Sequence, residues 1–533
     1  MHTEFEHDAL PSEELLKSLL AAMMEPSFYP KRPSRVTHLE SHISHVFLAG
    51  DFVYKIKKPV RFAFLDFSTL AKRKYFLHEE LRLNRRLAPS VYLDVLSLTC
   101  DANGWHLGGD SKPLEYALVM RRLPADRMLP FLLQHNLLTG SMIEAVADIV
   151  VSFHSQAPTG DDISVRGDPE VIKKMWDENL ADVVPFVGKH LDAGILDGLN
   201  EFGLRFLTQA RDLLARRIRE GKIREVHGDL HCEHVCFEPE GIQIFDCIEF
   251  SRELRCCDVA SEVAFLMMDL EFRDAGELAK SFLRRYLELA PDPELPRLLP
   301  FYKCYRAVVR GKVEGLQAEG KSEKARAYFE LAYRATWEEF KPFLVLICGL
   351  SATGKSTLAR RLAERVGATV ISSDVTRKAI AGVSGRQTTA YSGGIYSRSM
   401  TERTYAKMIE DADQVIGSGQ SVILDATFQK KSHRELAREL ASRHKIPLAL
   451  VVCDASEQTV RERLKRRAEQ ATEPSDATWE VYRKQKEAFE KIDEIPGERH
   501  FTLDTERSLE CQVYGVEQSL RKHLSEAQAG KTS

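Results

Sequence analysis

Apolar residues recur along this chain in two rhythms, and the change from one to the other divides it. Residues 13–25 place Leu15, Leu16, Leu19, Leu20, Met23 and Met24 at helical intervals, and Pro30 and Pro33 then interrupt the pattern. Two β-like segments follow at 44–48 and 52–56, separated by Ala49-Gly50-Asp51, which reads as a hairpin turn. The pattern next predicts a helix over 70–87, strands over 91–98 and 116–120, and a mostly helical region from 137 to 220. Helical periodicity returns over 259–341. Beyond it, short apolar runs at 343–347, 369–371, 421–424, 448–452 and 500–503 alternate with helical patterns, the layout of a parallel, doubly wound sheet. Three segments are therefore expected: an N-terminal helical extension over 1–33, a first domain over 34–341 and a second over 342–533.

Length and charge narrow the class. A chain of 533 residues exceeds what one core usually serves. A formal net charge of −4 provides no global basic field, so nucleic acid is not favoured as the main partner. Glu4, Glu6 and Asp8 give the first residues an acidic character unlike a signal peptide, and no apolar run approaches membrane-spanning length. Ten cysteines without the spacing of a secreted framework point to a reduced, cytoplasmic chain. The oligomeric state is not legible.

The strongest chemical signal follows the 343–347 run. Gly349, Leu350, Ser351, Ala352, Thr353, Gly354, Lys355 and Ser356 match G-x-x-x-x-G-K-[ST] between a strand and a helix. Such a loop turns successive backbone N–H groups toward phosphate oxygens, and the following helix N-terminus, which includes Thr357, adds its partial positive charge. Lys355 is expected at the β and γ phosphates of ATP and Ser356 at Mg²⁺. Just after the second strand, Ser372-Ser373-Asp374-Val375-Thr376-Arg377 places Asp374 and Arg377 at the carboxyl edge of the sheet. Asp374 can accept a proton from an attacking hydroxyl and Arg377 can hold an acceptor phosphate or polarise the transition state; the plainer alternative is an N-capping aspartate beside a solvated arginine. Asp425 ends a strand as a metal-binding carboxylate would. Arg461, Arg463, Arg466 and Arg467 fall on one predicted helix, with Arg463 and Arg467 on one face, either closing over ATP or forming a solvated basic surface.

Residues 343–506, with strand, P-loop, S-D-x-x-R, L-D-A-T and the arginine helix, resemble the P-loop kinases related to polynucleotide kinase, gluconate kinase and zeta toxin. The resemblance implies that Asp374 is the general base and Arg377 the substrate-side arginine. Such proteins are often labelled AAA-family ATPases, but no arginine-finger or sensor pattern of a ring-forming motor is present in the sequence.

A second phosphate site is suggested upstream. His227-Gly228-Asp229-Leu230-His231-Cys232-Glu233-His234 resembles the catalytic loop H-G-D-x-x-x-x-N of aminoglycoside phosphotransferases, and Asp246 follows in a short apolar strand where kinases place a metal-binding aspartate. The resemblance covers about 34–335 and implies a protein-kinase-like α+β fold, with Asp229 orienting the acceptor hydroxyl and Asp246 holding Mg²⁺. Lys55 is the choice for the ATP-phosphate lysine, with Lys57, two residues on and on the same face, as runner-up. Glu80 is the expected ion-pair partner, with Glu79 open; residues 116–122 would form the adenine hinge. Two features depart from the family. No Gly-rich loop covers the phosphates, and His234 stands where the metal-binding asparagine belongs. A zinc site from His227, His231, Cys232, His234, Cys236 and Cys247 follows no common ligand spacing.

The whole chain resembles bacterial bifunctional proteins that join an aminoglycoside-phosphotransferase-like domain to a P-loop kinase. The reading is a two-site, ATP- and Mg²⁺-dependent phosphotransferase acting on a hydroxyl-bearing small molecule. The alternatives are a nucleotide-switched regulator with an inactive first domain, and a polynucleotide 5′-hydroxyl kinase suggested by Lys430, Lys431, His433, Arg434 and Arg438.

Overall fold

The computed structural model describes residues 13–62, 65–383, 396–469, 478–495 and 497–532. Glu4, Glu6 and Asp8 lie outside them. The chain divides into two compact units, Met1–Ala332 and Tyr333–Ser533. Tyr333 and Trp337 belong to the second unit because Arg521 stacks on both rings and donates to Thr336.

The first unit opens with the expected helix, Glu13–Met24, and a six-stranded antiparallel sheet. In spatial order its strands are Val36–Glu40, Ser44–Ala49, Phe52–Lys57, Glu115–Arg121, Tyr92–Asp101 and Gly104–Leu107. Ala49 pairs with Phe52 across the predicted hairpin turn. One core beside this sheet gathers Leu19, Met23, Tyr29, Phe47, Tyr54 and Ile56; the other joins Leu77 and Leu81 to Tyr92 and Leu118. Leu77 and Leu81 belong to helix Leu70–Asn84, whose N-terminus Thr69 caps by accepting from the amide of Lys72. The helix stops short of the predicted residue 87, since Pro89 disfavours helical conformation just before it and residues 85–87 turn instead.

Beyond the sheet the unit is largely helical, with Gly140–Gln156, Pro169–Val183, Ala193–Gln209 and Arg211–Arg219 filling the region predicted as helix. Helix Val259–Phe272 runs through its centre and is buried from Val259 to Leu270. Against it lies the 227–248 segment, anchored by the short antiparallel pair Val235–Glu238 and Gly241–Ile244.

The second unit is the predicted α/β layer. Its five parallel strands lie in the order Ala368–Ser372, Ser421–Asp425, Leu344–Cys348, Leu448–Asp454 and His500–Asp504. The central strand, Leu344–Cys348, is buried at every position, as a strand covered on both faces must be. Because Ile347 pairs with Asp425 and Asp425 with Ser372, the carboxyl ends of three strands line up beside the P-loop.

Candidate active sites

In the second unit, the P-loop passes from strand Leu344–Cys348 into helix Lys355–Val366. Gly349 has φ +138°, and a Cβ there would sit 2.4 Å from the carbonyl oxygen of Cys453, so only glycine lets the loop pass the neighbouring strand. Ala352 also takes a left-handed φ, +64°, a strained choice for a residue with a side chain. The loop is held from several sides. Lys355 Nζ donates to the Leu350 carbonyl at 2.7 Å, Thr353 Oγ1 donates to that same carbonyl at 2.8 Å, and the Ser351 amide donates to Gln485 Oε1 at 2.9 Å.

A cavity of about 330 Å³ opens above this edge. Ser351, Ala352, Gly354, Lys355, Ser356, Asp374, Arg377, Asp425 and Arg467 line it; Gly349, Leu350, Thr353, Thr357 and Arg463 do not. Asp374 lies in the first turn of helix Ser373–Ala381 and receives Arg377 Nη1 at 3.2 Å. Arg377 is buried against the Tyr396 ring, and its Nε has no hydrogen-bond partner among the described residues. The two arginines expected to act together separate. Arg463 Nη2 donates to the Thr505 carbonyl at 2.6 Å and Nη1 to Thr505 Oγ1 at 3.0 Å, whereas Arg467 reaches the cavity wall. Arg461 stacks on Trp479.

Sequence reasoning missed the cavity's far wall as a unit. His433 Nε2 lies 3.0 Å from Glu402 Oε2, and its ring stacks on Tyr405 at 3.8 Å. Burial lowers the His433 pKa although Glu402 opposes the shift. The basic residues near it do not make one open surface: Arg434 is fully buried and donates to the carbonyls of Phe428 and Lys491, while Lys431 pairs with Asp493.

In the first unit, strand Phe52–Lys57 sends two lysines to one face, and the structure distinguishes them. Lys55 Nζ lies 2.7 Å from Glu80 Oε1 and 3.2 Å from Asp246 Oδ1. Lys57 reaches the other oxygen of Glu80 at 2.8 Å but is wholly buried and also pairs with Glu249. Glu79 instead binds Arg82 and Arg255. Burial disfavours a charged Lys55, yet Asp246 and then Glu80 outweigh it and hold its pKa well above the usual lysine range. Arg121, at the expected hinge, makes a two-pronged pair with Glu238 at 2.6 Å.

The 227–234 loop is built on its backbone. His227 Nε2 faces the Phe245 carbonyl at 2.9 Å and its Nδ1 accepts from the Asp229 amide at 3.2 Å, which assigns the ring proton to Nε2. The Gly228 amide donates to Glu262 Oε1 at 2.7 Å, and the Cys232 amide to Asp269 Oδ2 at 2.9 Å. Glu262 is braced by His154, itself 2.9 Å from the Tyr286 hydroxyl. Glu262 and Asp269 were missed in the sequence, although two acids inside the mostly apolar 259–270 run were a signal for buried charge.

Asp229 and Asp246 meet at His234. Its Nδ1 donates to the Asp229 carbonyl at 2.8 Å, and its Nε2 lies 3.6 Å from Asp246 Oδ2. Asp246 holds a left-handed φ of +64°, and its amide donates to the Tyr92 hydroxyl. Desolvation opposes ionisation of Asp246, but Lys55 brings its pKa down to about 2. Burial would raise Asp229, and the neighbouring His231 and then His234 hold it below the usual carboxylate range. Burial drives His234 down to about 4, so the ring is neutral near pH 7. The zinc reading loses its cysteines: among the described residues the side chains grouped closely enough to share an ion are Asp229, His231 and His234, and no cysteine joins them.

A phosphotransferase enzyme family model matches residues 46–301, and an AAA domain model matches 344–492. Uncharacterized protein Mb2027c of Mycobacterium bovis and uncharacterized protein Rv2004c of Mycobacterium tuberculosis are each 34% identical over 447 residues, 83% of this chain and 88% of theirs. This chain belongs to their family. Its first domain is of the phosphotransferase enzyme type and its second is an AAA-type, P-loop kinase-like domain. Among solved structures, a choline/ethanolamine kinase family protein from Mesorhizobium loti is 16% identical with a TM-score of 0.36, covering 60% of this chain and 93% of its own. A gluconokinase from Sinorhizobium meliloti is 22% identical with a TM-score of 0.27, covering 36% and 98%.

Both domains of this family member offer donors that fit a divalent cation beside nucleotide phosphates. Ser356 and Asp425 supply oxygens around the P-loop cavity. In the phosphotransferase domain, Asp246 supplies a carboxylate and His234 a neutral imidazole nitrogen.

Proposed function

We propose that the chain is an ATP-dependent phosphotransferase with two kinase sites, each passing the γ-phosphoryl group to the hydroxyl of a small molecule. The observation that carries this reading is that one cavity brings Lys355, Ser356, Asp374 and Asp425 together. Lys355 binds the phosphates once it leaves the Leu350 carbonyl. Asp374 takes the proton of the acceptor hydroxyl; that oxygen forms the new bond to the γ-phosphorus, the bond to the β–γ bridging oxygen breaks, and ADP leaves. Mg²⁺ would supply charge neutralisation on the phosphates. Arg377, with its buried Nε lacking a hydrogen-bond partner among the described residues, suits an acceptor that carries an anionic group. Lys55, Asp229 and Asp246 take the corresponding parts in the first domain.

Among the described residues no helix is long and apolar enough to cross a membrane, and the ten cysteines are free. The test is ATP turnover with a panel of hydroxyl acceptors, neutral and anionic, together with 5′-hydroxyl oligonucleotides. The reading expects Asp374→Asn to bind ATP and lose transfer at the P-loop site, while Lys355→Ala loses binding there. Unaltered acceptor-dependent turnover when Asp374→Asn is made in a chain whose first site is silenced by Asp229→Asn refutes it, and transfer to oligonucleotides alone favours the polynucleotide alternative.

A further inference from the structure

In the phosphotransferase domain the hydrogen bond of His234 settles which of its ring nitrogens is free. A backbone carbonyl accepts but never donates, so the 2.8 Å contact between His234 Nδ1 and the Asp229 carbonyl fixes the proton on Nδ1. Nε2 is left with its lone pair, and it faces Asp246 Oδ2 at 3.6 Å. That separation is too long for a hydrogen bond, and both atoms are acceptors once Asp246 is ionised. A cation about 2.1 Å from each atom would bridge them. Lys55 holds the other oxygen of Asp246, at 3.2 Å, which fixes the carboxylate relative to the imidazole. The Asp246 carboxylate is itself partly exposed.

We infer that His234 and Asp246 form a mixed nitrogen–oxygen cation site that takes Mn²⁺ in preference to Mg²⁺. Mg²⁺ demands an all-oxygen octahedron, while an imidazole favours first-row transition ions. The phosphate and water oxygens that complete the sphere suit Mn²⁺ among them. His234 Nδ1, 3.6 Å from Asp229 Oδ2, does not join Asp229 and His231 in a cage, because it is already committed to the Asp229 carbonyl. The P-loop domain offers Ser356 and Asp425, oxygen donors alone, so one chain carries two sites of different metal preference.

The inference rests on the first domain holding a nucleotide, and the experiment separates the two claims. The full chain carrying Lys355→Ala, which silences the P-loop, is mixed with Mn²⁺ and a methylene-bridged ATP analogue and examined by pulsed electron paramagnetic resonance. The expected result is nitrogen hyperfine coupling on the bound Mn²⁺ that disappears in His234→Asn, whose amide can still donate to the Asp229 carbonyl. Competition should show Mn²⁺ retained over Mg²⁺ by at least about tenfold more in the Lys355→Ala chain than in that chain with His234→Asn added. Bound Mn²⁺ without nitrogen coupling, or coupling unchanged by His234→Asn, overturns the inference and leaves the nucleotide site standing. No Mn²⁺–nucleotide binding at all overturns both. Absence of nitrogen coupling in the His234-containing chain overturns the inference even where the asparagine variant fails to fold.

Discussion

The amide of Gly228 donates to Oε1 of Glu262 at 2.7 Å, so a carboxylate buried in the Val259–Phe272 helix fixes the backbone of the loop that carries Asp229. Seven residues on, Asp269 does the same for the Cys232 amide at 2.9 Å. Seven residues are two helical turns, which puts both acids on one face of one rigid element. Glu262→Ala is expected to leave the Gly228 amide and His154 without their partner, at a cost of about 3–5 kcal/mol to the first domain. Denaturant melts should show this loss, and nucleotide titration should show binding weakened in the first domain while the P-loop domain binds as before.

Lys55 and Lys57 share Glu80, yet their variants should separate. Lys57 stands wholly buried between Glu80 and Glu249. Lys57→Met leaves the buried Glu249 without its cation and Glu80 with Lys55 alone, and a loss of about 3–5 kcal/mol is expected. Lys55 is partly exposed and touches the open Asp246. Lys55→Met should therefore weaken nucleotide binding in the first domain at a smaller cost in stability. Equal melting shifts for the two variants would contradict this assignment.

Gly349→Ala tests the P-loop's passage over its neighbour. The added Cβ meets the Cys453 carbonyl oxygen at 2.4 Å, backbone that cannot rotate away, at a φ of +138°. Strain of about 2–3 kcal/mol is expected, together with loss of ATP binding in the second domain. Calorimetry should register a lowered transition for the P-loop domain alone.

Arg463 and Arg467 lie on one helical face but should fail in different ways. Arg463 ties Thr505 to the P-loop backbone, donating to the Thr505 carbonyl at 2.6 Å and to that of Ala352 at 3.4 Å. Arg463→Ala should lower both stability and ATP affinity. Arg467 lines the cavity, so Arg467→Ala should lower kcat by about tenfold to a hundredfold at little cost in melting temperature. Steady-state kinetics beside melts of the two variants will separate the roles.

The P-loop and its strand were legible because a phosphate cradle is made from consecutive backbone groups, so its chemistry is local in sequence. Asp374 and Asp425 were legible because strands of a parallel sheet deliver their carboxyl ends to one edge. The choice between Lys55 and Lys57 was not: alternate strand positions share a face, and the deciding partners, Asp246 and Glu249, lie about 190 residues away along the chain. The cavity wall of Glu402, Tyr405 and His433 was hidden for a similar reason, since two separate helices contribute it. Glu262 and Asp269 were readable as charges in an apolar helix, but what they hold is backbone, and no sequence pattern names a backbone partner.

His45 supplies a pH dependence whose sign is fixed. It is buried on strand Ser44–Ala49 with Nδ1 3.1 Å from His38 Nε2. Burial, and then the charge of Lys58, lowers its pKa from the ordinary 6.5 to about 4. In the unfolded chain the ring takes up a proton as pH falls through 6.5, and the folded protein does not until about 4. Between these values the unfolded state binds more protons, so stability is full above 6.5 and is lost as pH falls toward 4. His45→Gln keeps a polar contact for His38 and removes the titration. Melting temperatures measured from neutral to acid pH should therefore fall less steeply for His45→Gln than for the parent chain, and equal slopes would mean that His45 protonates alike in the folded and unfolded chain.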